Sequence, residues 1–184
     1  MKLVGLFSLG SGALLEHATG DLHVHESPLF RQLWESLEKR DVILADRGFC
    51  SYAAIASLAL RGVDSVMRLH ALRKADFRSG KALGQGERLV TWTKPAQRTS
   101  VGSAPEFAAL PASLVLRMIN LEVAASGFRT RRVILITTLL DSKLYPAEEV
   151  RALYGQRWRR RTPLSSAQNH LAPGYLALPK SRPD

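Results

Sequence analysis

Asp41-Val42-Ile43-Leu44-Ala45-Asp46-Arg47-Gly48-Phe49 is the stretch on which the fold turns. A short aliphatic run, Val42 to Ala45, ends on a carboxylate, a base and a glycine. A run of this length reads as a strand. An unbroken Val/Ile/Leu run further predicts a strand with both faces covered. A carboxylate at the carboxyl end of such a strand sits where open α/β sheets bind ligands. Gly48 lets the backbone turn away sharply there. Asp46 could equally cap the helix that follows, and spacing alone leaves both readings open.

On the N-terminal side, Ser27-Pro28 reads as the start of a helix, with Ser27 as N-cap and Pro28 at the first helical position. Leu29, Phe30, Leu33, Trp34 and Leu37 recur at helical spacing and form a core-facing stripe. Further upstream, Lys2–Leu9 and Ala13–Thr19 read as two strands of a hairpin turning at Gly10-Ser11-Gly12. Met1-Lys2 before Leu3–Leu15 has the outline of a signal peptide. Ser8, Gly10, Ser11 and Gly12 interrupt it, however, and Glu16 and His17 follow. The loop Asp21–Ser27 carries His23 and His25 beside acids. A metal there lacks a third ligand at credible spacing, so solvated histidines are expected.

On the C-terminal side, Ser51–Leu60 predicts a second helix closed at Gly62, and Asp64–Leu69 a further strand. Hairpin, helix, strand, helix, strand is a mixed α/β layer pattern. Arg68–Arg88 then changes character. It holds Arg68, Arg73, Lys74, Arg78, Lys81 and Arg88 against only Asp76 and Glu87, punctuated by Gly80, Gly84 and Gly86. That reads as a basic loop suited to a phosphate backbone. Leu89–Thr93, Ser113–Ala125 and Phe128–Leu140 read as strands, the last two bracketing a turn at Ser126-Gly127. Pro95, Pro105 and Pro111 mark loops. Pro146 opens a final helix with Glu148 and Glu149 in its first turn, as the helix dipole prefers. From Thr162 onward helical periodicity is lost, and the composition reads as a disordered tail.

The chain has 184 residues, enough for one domain with a real core. Its net charge is +10 and its pI near 10.4. A balance this basic points to a polyanionic partner, nucleic acid first. No apolar stretch reaches membrane-spanning length. Cys50 is the only cysteine, which excludes an intrachain disulfide and fits a reducing cytoplasm.

The run Leu44–Phe49 resembles the second catalytic aspartate motif of bacterial insertion-sequence transposases. These are DDE enzymes with an RNase-H-like core, in the subgroup carrying a Tyr-Arg-Glu-Lys ("YREK") signature. Leu3–Leu9, Leu89–Pro95 and Leu139–Trp158 agree with that family in order and spacing. The resemblance covers residues 1 to about 160. It implies an RNase-H-like core, incomplete at both ends, with a β-rich insertion over about 80–132 that contacts DNA. Residues 161–184 are then a disordered or frameshifted tail.

The resemblance also implies chemistry. Such enzymes cut a phosphodiester and join its 3′ hydroxyl to target DNA, using two Mg²⁺ or Mn²⁺ ions held by three carboxylates. Asp46 corresponds to one of the three, both catalytic and metal-binding. The first aspartate lies on a strand preceding the hairpin in that family, and this sequence has no such strand. Of the signature, Tyr154 and Arg157 match, while Arg161 stands at the glutamate position and Gln168 at the lysine position.

Several expectations follow. Tyr154 and Arg157 contact transposon-end DNA, with core packing as the alternative for Tyr154. Arg73, Lys74, Arg78, Lys81 and Arg88 contact DNA as well. The chain is cytoplasmic and nucleoid-associated, and partners double-stranded DNA, a second copy or a full-length transposase. It is inactive in strand transfer alone, and an open sheet edge beside the hairpin makes it marginally stable. Two other readings stay open. One is a non-catalytic DNA-binding or regulatory remnant. The other is a metal hydrolase using Asp46 with His23 or His25.

Overall fold

The computed structural model describes residues 1–98, 101–123, 131–159 and 175–179. The hairpin is β1 (Lys2–Ser8) and β2 (Leu14–Gly20). Helix α1 (Glu26–Gln32) continues into a 3-10 turn (Leu33–Ser36). Then come β3 (Asp41–Ala45), α2 (Tyr52–Leu60) and β4 (Asp64–Arg68). The second half adds β5 (Lys81–Gly84), β6 (Glu87–Thr93), α3 (Ala104–Ala109), β7 (Ser113–Val123), β8 (Arg131–Thr137), α4 (Ala147–Arg159) and β9 (Tyr175–Pro179).

The strands make one mixed sheet in the order β2-β1-β9-β3-β4-β8-β7-β6-β5. β3 and β4 are parallel, joined over α2, with Val42 opposite Asp64 and Ala45 opposite Met67. β8 lies antiparallel to β4, and β7, β6 and β5 continue outward antiparallel.

The β3 run has both faces covered, as its composition predicts. Alternate residues point to opposite sides. Ile43 and Ala45 join a core with Leu29, Phe30 and Trp34 before β3, Ile55 of α2 and Phe107 of α3. Val42 and Leu44 join a second core with Val66, Leu135, Val150 and Tyr154. The result is a three-layer mixed α/β architecture, with α1, α2 and α3 on one face and α4 on the other. It is the architecture that the RNase-H-like resemblance implies.

Several elements differ from the sequence expectation. The N-cap of α1 is His25, not Ser27, and no side chain bonds the helix end. The apolar stripe is nonetheless buried, with Trp34 fully enclosed and Phe30 packed edge-on against it at 5.4 Å. The basic stretch is not one broken loop. Its C-terminal part is a hairpin, β5 with β6, turning at Gly86 with φ 68°. Pro105 does not mark a loop but sits in the first turn of α3. There Ser103 and Glu106 form a reciprocal capping box that outweighs the helix-breaking reading of proline.

Tyr175–Pro179, for which composition shows no regular element, is strand β9. It lies parallel to β1 and antiparallel to β3. The edge beside the hairpin is therefore paired over Leu6–Ser8 rather than open. The Ser126-Gly127 turn, Arg161, Gln168 and the rest of the tail lie outside the described residues.

Candidate functional site

Asp46 leaves the end of β3 as the N-cap of a 3-10 turn (Arg47–Phe49). Its Oδ1 accepts the Arg47 N–H at 2.8 Å. The capping reading of Asp46 is thus realised with one carboxylate oxygen, on a short turn rather than a helix. The other oxygen is turned to α4. Val150, Tyr154 and Arg157 are spaced along one face of α4 and packed on the sheet. The Tyr154 hydroxyl donates to the Ala45 carbonyl at 3.2 Å. The Arg157 guanidinium lies 3.8 Å from Asp46 Oδ2.

Burial decides what these groups can do. The Arg157 side chain is 2% exposed and that of Asp46 is 21% exposed. Nε, Nη1 and Nη2 of Arg157 have no hydrogen-bond partner among the described residues. Its charge is balanced by Asp46 across a gap too long for a good hydrogen bond. Burial pushes the Tyr154 phenol up to about 12, with the Arg157 charge acting the other way. In this arrangement the Tyr154 hydroxyl fastens α4 to the end of β3, and the Arg157 guanidinium lies buried beside it.

The two-metal chemistry needs several oxygen donors converging on one point. Asp46 has one oxygen on a backbone N–H and the other facing a guanidinium. No group of three or more His, Cys, Asp or Glu that could hold a metal occurs among the described residues. The donor set around Asp46 in this arrangement does not fit a pair of divalent ions. His23 and His25 are exposed in the loop after β2.

The other basic residues lie on the segment that runs from β4 into β6. Arg73 stacks on Trp92 at 3.9 Å. Beside them is a cavity of about 330 Å³ lined by Lys74, Asp76, Ser79 and Met118 among others. Arg78 pairs with Asp76 at 3.3 Å, and Arg88 Nη1 donates to the Gly80 carbonyl at 3.0 Å. Lys74 and Lys81 are exposed.

Sequence reasoning missed a second buried charge. Arg117 of β7 is fully enclosed. It donates from Nε to Glu87 at 2.6 Å, and from Nη1 to the Leu139 and Tyr145 carbonyls at 3.2 and 2.6 Å. It ties the β5–β6 hairpin to the loop that leads into α4. The signal was an arginine inside the apolar run Leu114-Val115-Leu116-Arg117-Met118-Ile119. Cys50, by contrast, packs as a small hydrophobe, and burial pushes its thiol up to about 12.

A mixed sheet with helices on both faces and a carboxylate at the end of a central parallel strand is consistent with the RNase-H-like class. The chain belongs to the transposase DDE domain family, whose model matches residues 1–159. It is similar to the transposase InsG for insertion sequence element IS4 of Escherichia coli (strain K12), with 23% identity over the whole of this chain. It spans 39% of that relative's length. No solved structure matches it significantly. No helix among the described residues is long and apolar enough to cross a membrane.

Proposed function

We propose that this chain serves DNA transposition as part of a DDE transposase catalytic domain. As the polypeptide stands, it binds double-stranded DNA without transferring strands. The observation that carries this reading is the partner of Asp46, a buried guanidinium rather than a second carboxylate. Family membership supplies the DNA substrate, and the net charge of +10 fits a polyanion. Arg73, Lys74, Arg78, Lys81 and Arg88 form the DNA-contacting surface. Tyr154 and Arg157 reach transposon ends only if α4 is displaced from β3. The partners are transposon-end and target duplexes and a full-length transposase subunit, so the chain resides with nucleoid DNA. Mg²⁺ or Mn²⁺ belongs to a site with more carboxylates than Asp46 supplies.

Two assays on the purified chain test this. Duplex binding is measured across a salt series, for wild type and for Lys74→Ala/Arg78→Ala/Lys81→Ala. Affinity should fall linearly on a log–log plot, and the triple variant should lose up to about 3 in slope. The second assay seeks strand transfer with Mg²⁺ and with Mn²⁺. Salt-insensitive binding would remove the DNA reading, and strand transfer by this chain would remove the inactive one.

A further inference from the structure

β9 holds an unusual place. It is the last described element, yet it lies in the interior of the sheet. It pairs with β1 through Leu6–Ser8 and with β3 through Asp41–Leu44. Among the described strands, β1 and β2 reach the rest of the sheet only through it. We infer that the groove between β1 and β3 is a strand-acceptor site, and that β9 of a second copy of this chain fills it by exchange.

The argument starts from backbone chemistry. Among the described strands, removing β9 leaves two strand edges facing each other with bare N–H and C=O groups one strand apart. A bare edge is a template for an added strand, and two facing edges satisfy both sides of it. The occupant is short, matching three residues of β1 and four of β3. The edge of β1 over Lys2–Gly5 has no β9 partner. Few pairs mean a modest barrier to leaving.

The sequence of β9, Tyr-Leu-Ala-Leu-Pro, carries no charge, as an interior strand requires. Residues 160–174 separate it from α4, a length that can span up to about 50 Å at ~3.3 Å per residue. That reach suffices for a neighbouring copy. Each copy would then donate one strand and accept one, so the exchange closes as a two-fold dimer and does not propagate.

The donated strand would also enter the site. Leu44, two residues before Asp46, lies opposite Leu176, so the paired strand runs close to Asp46. The inference thus goes beyond DNA binding and stands independently of it.

Cysteine pairing tests it on the full chain, with Cys50→Ala as background. Val42 lies opposite Leu178, and facing residues of an antiparallel pair are close enough for a disulfide. One preparation carries Val42→Cys and another Leu178→Cys. Mixed and oxidised, they should give a mixed disulfide dimer several-fold in excess of the homodimers each forms alone, rising with concentration. A mixed dimer no more abundant than those homodimers overturns exchange. A chain with both cysteines should form an internal disulfide at low concentration. Its absence overturns the groove assignment, and Ile43→Cys with Ala177→Cys repeats the test should the first pair fail to fold.

Discussion

Arg157 of α4 and Asp46 at the end of β3 face each other across 3.8 Å, the arginine buried and the aspartate partly open. With one distant counter-ion and no hydrogen bond among the described residues, the buried Arg157 charge adds little to stability, because desolvation offsets the attraction. Arg157→Met should therefore be neutral or stabilising. Asp46→Ala should cost about 1–3 kcal/mol, reduced by solvent screening at its open side, since it leaves the guanidinium unbalanced. The double variant should recover most of that loss. Urea titrations of all four proteins measure it, and a loss above about 2 kcal/mol for Arg157→Met alone would refute this account.

The Glu87–Arg117 pair is the opposite case. Three of its contacts are good hydrogen bonds, and the side chains are almost fully enclosed. Glu87→Ala should cost about 3–5 kcal/mol by stranding Arg117. Hydrogen exchange should then rise both in the β5–β6 hairpin and at Leu139–Tyr145. If exchange rises only in the hairpin, Arg117 does not couple the two.

Alkaline pH should destabilise the fold. Burial raises the Cys50 thiol from its ordinary 9.0, and the Tyr154 phenol from 10.0, each to about 12. Both are held neutral in the native state, so the unfolded chain loses these protons first. Their stabilising contribution is complete below about pH 9 and is lost as pH rises toward 12. Cys50→Ala should flatten the early part of the fall in Tm between about pH 9 and 10. An unchanged slope would exclude the thiol as its source.

Gly80 should tolerate no side chain. Its φ is +80°, and a Cβ there would meet the Leu89 carbonyl oxygen at 2.0 Å. Gly80→Ala should cost about 1–3 kcal/mol and, by displacing Lys81 and Arg88, weaken duplex binding. Gly84→Ala, whose nearest neighbour would be Glu87 Oε2 at 3.7 Å, is the control and should cost under about 1 kcal/mol. Equal losses at the two positions would show that backbone strain is not the cause.

The local pattern was legible where short-range chemistry decides it. The unbroken apolar run Val42–Ala45 with both faces covered, the stripe Leu29–Leu37 and the acidic first turn of α4 all stand in the structure. So does the hairpin around Gly10-Ser11-Gly12. Where the expectation failed, either a local signal had another reading or a longer-range partner had intervened. The reciprocal bonds of Ser103 and Glu106 turned a proline-marked loop into α3. Pairing with β7 drew Glu87 and Arg88 out of the basic loop into β6.

By itself, then, the sequence determined the doubly covered central strand, the basic surface and the carboxylate at Asp46, because apolar runs and charge are written residue by residue. Only the tertiary structure decided what Asp46 faces and what fills the groove beside β3. Arg157 lies 111 positions from Asp46, and β9 comes from beyond the last helix. Their meeting depends on how two buried cores position α4 and the sheet, and no local pattern encodes that.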